Sequence, residues 1–235
     1  MQSFLNIELL SDTAFGSGKG ATGAVDIEVE HDPVIGLPII PGRSVKGLLV
    51  EECFNILYSL ESAGSPGIER AREAAALLFG TPGSQAGAEG NLHIADATLP
   101  VPLCVAVRAA ITEPTNKAVT LSPVQVLESL TDIRKQTAVD QVTGAPQRNT
   151  LRSTRVATRG LSFLAPLSFT SVASDAQLSL LTACALGVRR GGLSRNRGQG
   201  RLSIRFLEYR AGEAAVDTTM AHFADFERLA RGDAR

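Results

Sequence analysis

At 235 residues, 44% hydrophobic and 20% charged, the chain can bury a substantial core and is too apolar to be wholly disordered. Its net charge of −1 excludes whole-molecule attraction to nucleic acid, so a polyanion site would have to rest on local charge. Tryptophan is absent and only two tyrosines occur, which disfavours an aromatic platform for stacking bases.

The opening MQSFLNIELLSD lacks a basic segment followed by an apolar stretch, and no later apolar run could span a bilayer. A cytoplasmic chain with no membrane partner is therefore expected. Residues 3–11 alternate, with Leu5, Ile7 and Leu9 on one face and Asn6 and Glu8 on the other, the pattern of a half-buried strand. A glycine-rich segment from Gly16 to Gly23 precedes an acidic stretch from Asp26 to Asp32, and a turn-rich entry, Gly36 to Gly42, leads to a helix. In that helix Val45, Leu48, Leu49, Cys53, Ile56, Leu57 and Leu60 recur at helical spacing, Ser44 is the expected N-cap and Gly64 to Gly67 closes it. A second helix is expected over 68–79, ending at Gly80.

A loop over 80–90 and a strand over 92–99 follow. The stretch 112–159 has weak periodicity and several Pro and Gly residues, and reads as an insertion projecting from the core, helical near 123–130. Alternation returns at 161–169, then a helix over 175–188 capped by Ser174 or Asp175. A glycine-rich loop, Arg189 to Gly200, opens a strand with Leu202, Ile204 and Phe206 inward and Arg201, Ser203 and Arg205 outward. The tail, 216–231, reads as an amphipathic helix through Met220, Phe223, Phe226 and Leu229. This order suits one α+β domain over residues 1–235, an antiparallel sheet in a ferredoxin-like arrangement.

The strongest chemical signal is the second glycine-rich loop. Arg189, Arg190, Arg195, Arg197, Arg201 and Arg205 fall between Val188 and Phe206 with no acidic residue, a local charge of +6. Gly191, Gly192, Gly198 and Gly200 would let the backbone approach a phosphate that the guanidiniums bind. The plain alternative is a connection whose glycines make turns and whose arginines are solvated. The loop follows a helix and opens a strand, the reverse of a dinucleotide fingerprint. The earlier Gly16-to-Gly20 run fails as a P-loop, because Gly20 stands where Ser or Thr must meet magnesium.

Arg43, Ser44 and Lys46 place two cations and a hydroxyl at a helix start, where backbone amides favour anions; a capped helix with incidental basic residues is the equal alternative. Asp26, Glu28, Glu30 and Asp32 alternate and would share one face if extended, either drawing a divalent metal or forming a solvated strand face. His31 beside them reads as a surface or partner-contact residue. Arg134, Lys135, Arg148, Arg152, Arg155 and Arg159 in the insertion stand against Asp132 and Asp140, a local +4. Two basic regions together point to RNA. Cys53, Cys104 and Cys184 form no CxxC pair, and His31, His93 and His222 complete no ligand spacing, so neither a disulfide framework nor a structural zinc site is supported.

Four segments, read together, resemble one family. Gly18-Lys19-Gly20, Val25-Asp26, His31-Asp32-Pro33, Gly36-Leu37-Pro38 and Ile40 to Gly47 are similar to the opening of RAMP superfamily proteins. Leu78-Phe79-Gly80, Gly90-Asn91-Leu92 and Asp96-Ala97 resemble a second block, and Ala138 to Ala145 the start of a thumb-like insertion. Gly191-Gly192 with Arg197-Gly198-Gln199-Gly200-Arg201 resembles the signature glycine-rich loop. The blocks follow the expected order over nearly the whole chain.

The resemblance is nearest to backbone subunits of type III CRISPR effector complexes. It implies a modified RRM-like core with a projecting thumb-like insertion, assembly beside other RAMP subunits, and binding of a CRISPR guide RNA together with target RNA. It places the catalytic aspartate at Asp26, with Asp32 as a second acidic position nearer the turn. The RNA-contacting set it implies, joined to the basic residues above, is Arg43, Ser44, Lys46, Arg152, Arg155, Arg189, Arg190, Gly191, Gly192, Arg195, Arg197, Gly198, Gly200 and Arg201. The implied reaction is attack of a ribose 2′-OH on the adjacent phosphate in an in-line geometry. Asp26 would assist proton transfer or hold a divalent metal, Mg2+ or Mn2+. A non-catalytic structural RNA-binding subunit and an endonuclease that trims the guide precursor are the alternatives; the scarcity of histidine near the basic loops disfavours the second.

Overall fold

The computed structural model describes residues 2–16, 25–81, 89–113, 120–209 and 214–233. Its central sheet has five strands in the order β2-β5-β1-β6-β7, every pairing antiparallel. They are β1 (Gln2–Leu9), β2 (Leu92–Ile94), β5 (Ser162–Phe169), β6 (Leu202–Tyr209) and β7 (Val216–Asp217). With α1 (Gly42–Ser62) between β1 and β2, and α5 (Asp175–Gly187) between β5 and β6, the core is the split β-α-β pair of a ferredoxin-like fold. The helix α2 (Ile68–Phe79) is added after α1, and α6 (Thr219–Arg231) after the sheet.

The alternation expected at both ends of the chain sets the register. Leu5 stands opposite Ala165 on one side and Phe206 on the other, and Ile7 opposite Phe163 and Ile204. These inward residues are all buried and share one core with Val45, Leu49 and Cys53 of α1 and Leu180, Leu181 and Cys184 of α5. The capping residue of α5 is Ser174: its hydroxyl accepts from Gln177 N, and Gln177 returns the bond to Ser174 N, a capping box.

Several elements depart from expectation. The N-cap of α1 is Pro41, with Ser44 inside the first turn, because the Gly42 amide is held by Asp96 Oδ1 at 2.8 Å and the helix starts three residues early. The strand expected over 92–99 pairs regularly only through Ile94, after which Ala97 and Thr98 make isolated bridges to Ile40 and Leu164. The tail helix begins at Thr219, since 216–217 join the sheet as β7, and Met220 points outward while Phe226 and Leu229 are buried. The helix α3 (Val101–Thr112) was not foreseen: it is apolar nearly all round, so no helical stripe stands out, although only Cys104, Val107 and Ile111 turn toward the core.

Between β2 and β5 the chain makes an excursion. It holds α3, then α4 (Pro123–Leu130), then a hairpin of β3 (Thr131–Gln136) and β4 (Arg152–Ala157). The helix near 123–130 is present, with Ser122 and Gln125 forming its capping box. Among the described residues no helix is long and apolar enough to cross a membrane.

Phe163 is fully buried at the centre of the sheet and Met220 is 63% exposed. Phe163→Ala should destabilise the chain by about 3–5 kcal/mol, whereas Met220→Ala should stay within about 0.5 kcal/mol, both read from urea unfolding.

Candidate functional site

The end of β1 is where distant parts of the chain meet. Leu10 N and Ser11 N donate to Arg201 O, Thr13 exchanges both backbone bonds with Ala157 of β4, and Ala14 O accepts from Leu193 N. The acidic stretch returns alongside: Glu30 N donates to Phe15 O, and Asp26 N to Ser153 O. These crossings enclose a cleft of about 560 Å³ lined by Ala14, Phe15, Gly16, Asp26, Ile27, Ser44, Leu48, Gly192, Leu193 and Arg195. The candidates Asp26 of the acidic stretch, Ser44 of the helix start, and Gly192 and Arg195 of the glycine-rich loop thus share one hollow. Gly18, Lys19 and Gly20, which also carried the resemblance, lie outside the described residues.

Asp26 is exposed, yet one of its oxygens is fully engaged. Oδ2 accepts from Ser153 N at 2.6 Å and from Ser153 Oγ at 2.9 Å. Those two donors, the backbone amide foremost, hold the carboxyl below its usual range, with the charge of Arg152 adding to the effect. Two residues on, Glu28 Oε2 accepts from Arg155 Nε at 2.8 Å, and Arg155 Nη1 reaches Thr131 Oγ1. Arg155 is thereby tied inside the protein. Asp32 also does local work: Oδ1 accepts from Val34 N and Ile35 N, fixing the turn before Gly36, and Oδ2 lies 3.7 Å from Arg108. The four alternating carboxylates therefore do not act as one face.

The glycine-rich loop differs from a loop of uncompensated arginines. Arg195 makes a two-pronged pair with Glu51 of α1, both contacts at 2.9 Å, and this bond lowers the Glu51 pKa. Arg205 pairs with Asp217. Arg190 Nη1 donates to Arg195 O. Among the described residues the side chains of Arg43, Arg189, Arg197 and Arg201 make no hydrogen bond or ion pair, and all four are exposed. The counter-charge of Arg195 went unseen because Glu51 lies 144 residues from it.

Two of the loop glycines are required by protein packing. Gly192 has φ +78°, and a Cβ there would lie 2.6 Å from Ala14 O; Gly200 has φ +76°, with Gly191 O at 2.2 Å. Both conformations are costly for other residues, so these glycines fold the loop onto the end of β1. Gly191 lies inside the same turn, its N–H donating to Gly200 O. Gly198, at φ +83°, has open space about it.

The start of α1 is partly occupied. Gly42 N is taken by Asp96, and Lys46 Nζ turns to Leu92 O at 2.9 Å, so Lys46 braces the sheet edge. Of that set, Ser44 lines the cleft and Arg43 faces solvent. Asp96 and Ser153 were not read as site residues. Ser153 left no signal, since a serine in a polar strand says nothing about a partner 127 positions away. Among the described residues no group of three or more His, Cys, Asp and Glu side chains is gathered to hold a metal ion. Asp26 is the one carboxylate among the residues that line the cleft.

The fold and cleft define a ferredoxin-like protein with an inserted hairpin and an arginine-rich glycine loop beside an exposed carboxylate. The RAMP superfamily model matches residues 6–203, and the chain belongs to that family. Similar solved structures include a chain of type III-B Cmr-beta bound to cognate target RNA (TM-score 0.60, 12% identity), with 88% of this chain and 97% of that chain covered. A chain of the apo state of type III-B Cmr-beta has a TM-score of 0.58 at 13% identity, with the same coverage. Both were determined by cryo-EM. No curated protein sequence matches this chain.

The Asp26 clamp has a pH signature. A carboxylate whose folded pKa is depressed contributes stability that is fully present above its unfolded pKa, about 3.9 for Asp, and lost as pH falls through the folded value. The urea-midpoint gap between wild type and Asp26→Asn should thus stay constant from pH 7 to about 5 and close only at lower pH. A gap that closes between pH 7 and 5 would contradict the clamp.

Proposed function

We propose that this chain is a guide-RNA-binding subunit of a type III CRISPR effector complex that positions complementary target RNA and cleaves it. The observation that carries this reading is the single cleft joining Asp26 to Ser44, Gly192 and Arg195. Arg43, Arg189, Arg197 and Arg201 are exposed and unpaired among the described residues, and are the phosphate contacts of choice. Family membership and the likeness to Cmr-beta chains, one bound to cognate target RNA, support the assignment to such a complex beside other RAMP subunits.

In this reading a ribose 2′-OH attacks the adjacent phosphorus, the 2′-O–P bond forms, the P–O5′ bond breaks and the departing 5′ oxygen takes a proton from water. Asp26, with Oδ2 held by Ser153, presents Oδ1 to the hydroxyl proton. Asp32 is occupied in its own turn, which leaves Asp26 the better candidate. One observation favours a non-catalytic scaffold: a carboxylate held below its usual range is a weak base.

The deciding experiment is target cleavage by the reconstituted, guide-loaded complex in buffer containing magnesium or manganese. Asp26→Asn should assemble normally and cut slower by a factor on the order of 10² or more, while Asp32→Asn, if it folds, keeps its activity. Unimpaired cutting by both variants, or no cutting by wild type, establishes the scaffold instead, and loss in Asp32→Asn alone assigns the role to Asp32. Arginine contacts are tested separately. Arg197→Ala with Arg201→Ala should weaken guide binding and lower the slope of log K against log salt by roughly 0.7 per lost phosphate contact. Unchanged affinity and slope would remove the loop from the RNA surface.

A further inference from the structure

We propose that Ser153 is the positioning residue for Asp26, and that through it the β3–β4 hairpin sets how the carboxylate faces the cleft. The inference rests on the function proposed above for Asp26. Four hydrogen bonds join the two residues. Asp26 N donates to Ser153 O at 3.0 Å and to Ser153 Oγ at 3.1 Å. In return Ser153 N and Oγ donate to Oδ2 at 2.6 and 2.9 Å. These two donors, one backbone amide and one hydroxyl, converge on Oδ2, and Oδ1 is the oxygen left for a substrate.

The neighbouring residues extend the contact. Ile27 and Thr154 form a parallel bridge, Arg155 N donates to Ile27 O at 2.9 Å, and Arg155 Nε reaches Glu28 Oε2 at 2.8 Å. Residues 26–28 therefore lie as an added strand segment against β4. Ser153 is only 8% exposed and Arg155 only 13% at its side chain, so water competes little for these bonds. The same hairpin carries exposed Lys135 and Arg152, whereas Arg134 is turned to Asp12 and Asp132. A strand of RNA gripped by Lys135 and Arg152 pulls on the element that holds Asp26, and the carboxylate follows through the serine hydroxyl and amide. Hairpin position and carboxylate orientation are one coordinate.

The test compares Ser153→Ala, Ser153→Thr and wild type in the guide-loaded complex. Alanine keeps the backbone amide and removes the hydroxyl; threonine restores a hydroxyl and suits a strand. Single-turnover cleavage at saturating target should fall about tenfold in Ser153→Ala with target affinity unchanged, and return with Ser153→Thr. Hydrogen–deuterium exchange gives a readout independent of cleavage. The peptide containing Asp26 should exchange faster in Ser153→Ala, while peptides from β1, β5 and β6 match wild type. If exchange at Asp26 is unchanged, or if alanine and threonine variants cut equally slowly, the positioning role is wrong. If wild type itself does not cut, the catalytic reading fails, and exchange alone decides whether Ser153 holds Asp26.

Discussion

Everything in this molecule hangs on β1 being paired along both edges. Its partners, β5 and β6, come from residues 162–169 and 202–209, so the ladder closes two long loops at once, at an entropic cost that grows only slowly with loop length. Burial of the alternating Leu5, Ile7, Leu9, Phe163, Ala165, Ile204 and Phe206 offsets that cost. A slip of one residue would turn this set outward, so the register is strongly specified. Because the register is fixed, the residues just past Leu9 must emerge beside Arg201 and the turn after β4.

The cleft is a consequence of that exit point. Backbone hydrogen bonds from Thr13 and Ala14 seat the hairpin and the glycine-rich loop on opposite sides of the emerging chain. The acidic stretch then lies across the hairpin. Polar contacts do much of this docking: Asp26 with Ser153, Glu28 with Arg155, and Arg134 with Asp12. A smaller apolar cluster of Ala14, Val29, Leu127 and Val156 sits beneath them. Such a seat is specific in geometry and modest in strength.

Charge in the site is arranged by pairing. Arg195 and Arg155 are directed to Glu51 and Glu28, and so shape the loop and hairpin. Their neighbours Arg189, Arg197 and Arg201 remain toward solvent. A protein with net charge −1 can thus present a local cationic surface whose frame is held by internal ion pairs.

How much could be read from the residues alone divides along a physical line. Period-two alternation in 3–11, 161–169 and 202–206, the helical stripe of α1 and the punctuating Gly64, Gly80 and Ser174 are local signals, and each produced the element it announced. The order of those elements was enough for the ferredoxin-like core. Local signals failed where an element lacked contrast, as in uniformly apolar α3, or where a distant group intervened, as when Asp96 took the Gly42 amide and moved the start of α1. The candidate site follows the same division. Asp26, Ser44, Gly192 and Arg195 could be nominated from their types and motifs, since charge, hydroxyl and glycine are properties of single residues. Which oxygen of Asp26 stays free, that Arg195 faces Glu51, and that Ser153 holds the carboxylate are long-range pairings. They were decided only when β1 brought positions more than a hundred residues apart to the same end of the sheet.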